Sequence, residues 1–228
     1  MTKEKISAII VAAGEGKRLG HSTPKAFIDM GGLPLFAHSL KVFDAHDGIA
    51  GLVVVASQRM IENAKEAVSA LGLQKQVTVV AGGEHRWQSV KNGVEACAAE
   101  WVLVHDAARP FVDSQTIDAL LEKRISYKCA IVGTPCVDTI RRFENDRCIA
   151  TIDRNKLIRV GTPQMFHRET LLNAFANAQS LEQPPTDEAM LMEMGGEAVG
   201  LAWGNPLNFK ITTAQDLELA QALIAARK

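Results

Sequence analysis

The chain has 228 residues, 47% of them apolar, with 25 basic against 26 acidic side chains and a formal charge of −1. That length favours a single domain, residues 1–228, with a sizeable core. The balanced charge argues against a protein that grips nucleic acid by neutralising many phosphates. No run reaches the eighteen or so apolar residues of a membrane span, so a cytoplasmic protein bound to neither membrane nor nucleic acid is expected.

The first predicted element is the apolar run from Ile6 to Ala13. Charged Glu15, Lys17 and Arg18 stand where a signal-peptide cleavage site would have to lie, so the run reads as a buried first strand. The turn after it, AAGEGKRLG (Ala12 to Gly20), is rich in glycine and base, and Pro24-Lys25 follows. Neither Gly14 nor Gly16 has a glycine five places on, which excludes a Walker A loop. The fingerprint GxGxxG also fails, because Leu19 stands at its third glycine and Gly20 comes one place late. Glycine lets backbone N–H groups turn toward an oxyanion, and Lys17, Arg18 and Lys25 add fixed positive charge. Taken alone, the loop reads either as an anion site or as a solvated turn with incidental bases.

Amphipathic stretches and apolar runs then alternate: PLFAHSLKVFDAH, GLVVVAS, MIENAKEAVSAL, VTVVAG, QSVKNGVEAC, WVLVHDA, SQTIDALLEKR and AIVGTP. The apolar runs do not alternate with polar residues, as befits strands covered on both faces. The expected fold is α/β, a doubly wound and mostly parallel sheet. GLVVVAS ends without the acid that holds a ribose in NAD enzymes.

Two strand ends carry polar signals. GGEHRWQSV (Gly82 to Val90) places Gly82 and Gly83 for close backbone approach and Ser89 to bond a base or ribose, while Arg86 reads equally as structural or solvated. Trp87 and Trp101 read as packing. In HDAARP (His105 to Pro110), Asp106 falls on the rim where open α/β sheets bind ligands. A lone carboxylate facing a polyphosphate suits Mg²⁺; a helix N-cap is the equal alternative. His105 reads as structural, because no second histidine has ligand spacing to it.

After Pro135, CVDTIRRFENDRCIATIDRN predicts two short extended pieces around a turn at Glu144-Asn145-Asp146, a projecting arm over roughly residues 136–158. So small a hairpin is more stable packed on a partner than alone in water. Helices are expected from His167 to Gln179 and from Asp187 to Met194, then two strands, AVGLAWG and FKIT. The closing helix is marked by Thr213 and Asp216 in capping-box spacing. Arg154, Thr162, Thr186 and Asp187 sit in loops or at helix starts, and Lys210 lies within FKIT. Met190, Met192 and Met194 read as packing. Cys97, Cys129, Cys136 and Cys148 show no CxxC spacing and read as reduced core thiols.

Together AAGEGKRLG, PK, GGEHRWQSV, HDAARP, VDTI, TIDRN, TPQMF, TDEA and FKIT resemble, in order and spacing, the 2-C-methyl-D-erythritol 4-phosphate cytidylyltransferases of the non-mevalonate isoprenoid pathway. The resemblance implies a Rossmann-like nucleotidyltransferase, a homodimer joined through the arm, and transfer of CMP from CTP to the sugar-alcohol phosphate with Mg²⁺ and release of pyrophosphate. It implies that Ala12, Ala13, Gly14 and Gly16 meet the nucleotide through backbone, with Gly83, Glu84 and Ser89 beside base and ribose. Lys25 and Lys210 become the paired α-phosphate cations, with Lys17 and Arg18 in the loop over the triphosphate. Asp106 becomes the metal ligand, with Ala107 beside the nucleotide. Thr139, Arg154, Thr162 and Thr186 become acceptor contacts, Thr139 and Arg154 reaching across from the partner. One departure is Ala26, where the family commonly has glutamine. Rival readings are a ribitol-5-phosphate cytidylyltransferase, a nicotinamide-dependent oxidoreductase and a non-catalytic nucleotide sensor.

Overall fold

The computed structural model describes residues 5–14, 23–178 and 181–226; Gly16, Lys17 and Arg18 lie outside them. The N-terminal half runs β1 (Ile6–Ala12), α1 (Leu35–Ala45), β2 (Gly51–Ala56), α2 (Ile61–Ala70), β3 (Val77–Ala81), α3 (Arg86–Glu95) and β4 (Trp101–Asp106). The remainder runs α4 (Ser114–Leu121), β5 (Cys129–Pro135), β6 (Ile140–Glu144), β7 (Arg147–Ile152), β8 (Ile158–His167), α5 (Arg168–Ala178), α6 (Glu188–Met194), β9 (Val199–Trp203) and α7 (Ala214–Ala225). Among the described residues these strands make a seven-stranded sheet, β3-β2-β1-β4-β8-β5-β9, and a separate β6-β7 pair. The β1–β2, β1–β4, β2–β3 and β5–β9 pairings are parallel, whereas β8 runs antiparallel between β4 and β5. The fold is thus α/β with a mostly parallel sheet, as expected.

The unbroken apolar character of β1 follows from its place in the middle. Ala8, Ile10 and Ala12 face one side with Phe36, Leu40 and Phe43 of α1, while Ile9 faces the other with Val90 and Val94 of α3. Alternate side chains point to opposite faces, and both faces are covered. In register, Val11 pairs with Asp106 and Ala12 with Ala56. The carboxyl ends of three strands are therefore level, which sets the first turn and Asp106 on one rim.

Two expectations need correcting. FKIT forms no strand: Phe209 to Thr212 cross the rim as irregular chain, anchored where the Ile211 N–H donates to the Ala108 carbonyl (2.9 Å). Ile211 is buried with Met30, Leu35, Phe111 and Leu217 in a separate cluster, so its apolar pattern serves a plug and not a sheet. Of the cysteines, all free thiols, Cys129 is buried but Cys148 is exposed, because β7 lies in the hairpin outside the core. Met192 is buried as expected, while Met194 is half-exposed. The hairpin itself is as expected, with Asn145 (φ 45°) and Asp146 (φ 62°) making the two-residue turn that suits strand twist. The capping box of α7 is present, Thr213 and Asp216 each accepting the other's N–H. No helix among the described residues is long and apolar enough to cross a membrane.

His105 is structural, and it wires the end of β4 to β8. The Asp106 N–H donates to Thr162 Oγ1 (3.0 Å). His105 Nε2 faces the Arg109 carbonyl (2.9 Å), which can only accept, so the ring is the Nε2–H tautomer and its Nδ1 accepts from the Thr162 hydroxyl (3.2 Å). The ring is wholly buried against Phe43. Burial pushes the imidazole down from 6.5 to about 4, so it is neutral in the folded protein. The unfolded ring takes up a proton first as pH falls, and stability is lost from pH 6.5 down to about 4. Between pH 7 and pH 5 this one group should cost about 2 kcal/mol. Denaturant titrations at the two pH values should therefore show a loss smaller by about that amount in His105→Gln than in the parent; equal losses would remove His105 from the account.

Candidate active site

A cavity of about 300 Å³ opens beyond the carboxyl ends of β1 and β4. One wall is the backbone of Ala12, Ala13 and Gly14, continuing from β1; the facing wall is Gly83, Glu84 and Ser89, leading into α3. These walls come close because glycine allows it. A Cβ on Gly82 would sit 2.5 Å from the Ala13 Cβ and 2.7 Å from Ser89 Oγ, and one on Gly83 would sit 2.5 Å from the Gln88 Cβ. The Gly83 N–H donates to Ser89 Oγ (3.1 Å), and the His85 N–H to Gln88 Oε1 (2.8 Å), which closes the start of α3.

The floor is Asp106 and Ala107, where β4 ends. Asp106 Oδ1 accepts from Arg86 Nε (3.1 Å) and Nη2 (3.0 Å), and Oδ2 accepts from Lys210 Nζ (2.8 Å). Arg109 Nε stands 4.0 Å from Oδ2. Burial works to raise the Asp106 carboxyl, but Arg86 and Lys210 overwhelm it and hold the group well below the usual carboxylate range. Lys25 arrives from the opposite end of the chain on a single 3-10 turn, and its Nζ donates to the Ile211 carbonyl (2.7 Å), next in chain to Lys210. Both lysines and Ala26 line the cavity. The irregular crossing of FKIT is what swings Lys210 over the floor.

The structure thus brings together Ala12, Ala13, Gly14, Lys25, Gly83, Glu84, Ser89, Asp106, Ala107 and Lys210. It does not bring the other four there. Thr162 is buried beneath Asp106, its hydroxyl spent on the Asp106 N–H and His105. Thr186 is exposed just before α6, with Oγ1 3.9 Å from Met190 Sδ. Thr139 and Arg154 are exposed at the base of the hairpin, where Arg154 donates to the Val137 carbonyl. Neither lines the cavity.

Sequence reasoning missed the ion chain behind the floor. Arg86, left open between structural and solvated roles, donates through Nη1 to both oxygens of Glu188 (2.8 and 2.7 Å) while it holds Asp106. Glu188 is wholly buried at the start of α6. Asp187 is its N-cap, accepting from the Met190 N–H (3.0 Å) and Gln164 Nε2 (2.8 Å). Burial pushes the Glu188 carboxyl up, against the pull of Arg86. Arg86 and Glu188 lie 102 positions apart, so no local pattern could have paired them. Arg109, also passed over, donates through Nη1 to the Asn208 carbonyl (3.0 Å). It helps line a second cavity of about 190 Å³ with Arg159, Asn205 and Asn208, and Lys210 is common to both cavities.

Among the described residues no three His, Cys, Asp or Glu side chains gather as a metal site. Asp106 is the one carboxylate among the residues lining the cavity floor. It fits a hard divalent cation that takes a single protein oxygen and completes its shell with phosphate and water, since Oδ2, which accepts from Lys210, has a second lone pair, whereas Oδ1 is filled by two bonds from Arg86.

The profile of the 2-C-methyl-D-erythritol 4-phosphate cytidylyltransferase family matches residues 6–226. A protein so named from Halalkalibacterium halodurans is 38% identical over 223 residues, covering 97% of this chain and 98% of its own. One from Bacillus licheniformis is 37% identical over 221 residues, covering 96% of each. Among solved structures, the 2-C-methyl-D-erythritol 4-phosphate cytidylyltransferase of Thermus thermophilus superposes with a TM-score of 0.80 at 32% identity, covering 97% of this chain and 99% of that one. The 4-diphosphocytidyl-2C-methyl-D-erythritol synthase of Anaerococcus prevotii superposes with a TM-score of 0.85 at 25% identity, covering 98% and 99%. Fold, site and end-to-end likeness agree, and the chain belongs to the 2-C-methyl-D-erythritol 4-phosphate cytidylyltransferase family.

Proposed function

We propose that the protein transfers CMP from CTP to 2-C-methyl-D-erythritol 4-phosphate, giving 4-diphosphocytidyl-2-C-methyl-D-erythritol and pyrophosphate in the non-mevalonate pathway. The observation that carries the reading is the convergence of Lys25 and Lys210, from opposite ends of the chain, on one cavity floored by Asp106. The membership of the chain in the family supplies the substrates.

The acceptor is a phosphate monoester, already anionic near neutral pH, so no base is needed to create the nucleophile. The obstacle is electrostatic, because one anion must approach the α-phosphorus of another. Cations fixed around that phosphorus meet the charge that develops on its oxygens in the in-line transition state. Lys25 and Lys210 do this. The backbone walls at Ala12 to Gly14 and Gly83 to Ser89 hold the nucleotide, with Glu84 and Ser89 beside base and ribose. Lys17 and Arg18, outside the described residues, would add positive charge toward the triphosphate. Asp106 would hold Mg²⁺, which when bound shields phosphate charge and acts as a Lewis acid. Holding both substrates side by side supplies much of the remaining acceleration. The second cavity, with Arg109, Arg159 and the shared Lys210, supports an anionic acceptor beside the nucleotide.

The reading includes a homodimer. Val137 and Phe143 are about 70% exposed on the hairpin or its base, apolar surface that a second copy would cover. Thr139 and Arg154, outside the cavity of their own chain, would then reach the partner's acceptor site, with Thr186 at its edge and Thr162 supporting it from below. Phosphorylated substrates and free thiols suit a cytoplasmic setting.

Three measurements test this. Pyrophosphate release should require CTP over ATP, GTP or UTP and methylerythritol phosphate over ribitol 5-phosphate; preference for the ribitol ester would change the acceptor. Lys25→Ala should lower kcat/KM by about two to three orders of magnitude, since a donor aimed at transition-state charge is worth ~3 kcal/mol; near-normal turnover would rule out its role. Arg154→Ala should raise KM for the acceptor several-fold more than KM for CTP, and equal effects on both would count against the shared site.

A further inference from the structure

The nucleotide reading gives no role to Glu188, yet this carboxylate is wholly buried and lies behind the cavity floor. A buried charge is costly unless it is paired and hydrogen-bonded, and here both oxygens accept from a single nitrogen, Arg86 Nη1 (2.8 and 2.7 Å). The other side of the same guanidinium, Nε and Nη2, grips one oxygen of Asp106 (3.1 and 3.0 Å). Arg86 is therefore a planar spacer between two carboxylates, one buried and one facing the cavity. A guanidinium is rigid, so fixing one edge fixes the other.

We infer that Glu188 is a positioning residue for nucleotide binding: it anchors Arg86 so that Asp106 is clamped through Oδ1 and presents Oδ2 to the cavity. The inference rests on the proposed function for its ligand, but its geometry stands independently. The charge arrangement points the same way. Arg86 shared between two carboxylates leaves Asp106 with negative charge to offer Lys210 and a nucleotide-bound cation. Glu188 touches neither cavity, so it acts only through Arg86. The anchor is itself held in place: α6 begins at Glu188, and its N-cap Asp187 is tied to Gln164 of β8 (2.8 Å).

The test uses the full chain. Glu188→Gln keeps shape and removes charge; Glu188→Asp keeps charge and is one methylene shorter. Circular dichroism and thermal melting identify which variants fold, and either folded variant suffices. CTP binding, measured by calorimetry with Mg²⁺ and no acceptor, should weaken about 10- to 100-fold, the usual effect of losing a partner that orients a ligating group. In an Asp106→Asn background the same Glu188 change should alter CTP affinity less than about twofold, because groups acting through one another are not additive. Parental affinity in a folded variant, or full additivity with Asp106→Asn, would overturn the inference. A crystal structure of the variant should show Arg86 withdrawn from Asp106 Oδ1; an unmoved Arg86 would overturn it too. Should the parent itself fail to bind CTP, the nucleotide reading falls while the crystallographic comparison still decides the role of Glu188.

Discussion

The Asp106 carboxylate holds this site together. It ends the strand beside β1, and three cations meet it from separate parts of the chain: Arg86 from the start of α3, Lys210 from the crossing before α7, and Arg109 at 4.0 Å from just beyond β4. Three neighbouring positive charges keep the acid ionised despite its burial. The same attraction converts a rim of loose loops into one walled cavity.

Such an arrangement costs desolvation on both sides of each pair. The fold offsets that with direct bonding beneath and behind the floor. Below, the Asp106 N–H, Thr162, neutral His105 and the Arg109 carbonyl make a directed chain in which each donor has an acceptor. Behind, the half-buried Arg86 balances the buried Glu188. The cavity face is left with the Lys25 and Lys210 amines, each held by a hydrogen bond, and with open backbone.

The hairpin follows different physics. Most residues of β6 and β7 are exposed and the two strands pair with each other alone among the described residues, so none of their side chains is fully buried in the core of the chain. The short turn at Asn145 and Asp146 gives the pair its shape, while the Val137 and Phe143 side chains stay exposed. That Arg154 sits at the base of the same hairpin links assembly with substrate recognition in the proposed function.

Much of this was legible in sequence because it is local. Unbroken apolar runs gave the central strands; glycine pairs gave the close walls; Thr213 and Asp216 gave the last helix. The ordered motifs gave the family. The strand predicted for FKIT failed because a short apolar run fits a strand and a buried crossing equally well, and only the cluster around Ile211 chose between them. Cys148 was misplaced for the related reason that the hairpin never joins the core. What the chain order alone determined were the residues with local work to do: turns, caps, strand cores and the lysines available for an anion. What only the folded molecule decided was which charges meet. Arg86 and Glu188 are 102 positions apart, and Asp106 and Lys210 are 104 apart. Electrostatic pairing depends on distance in space and on exclusion of water, and neither is encoded within any short stretch of chain.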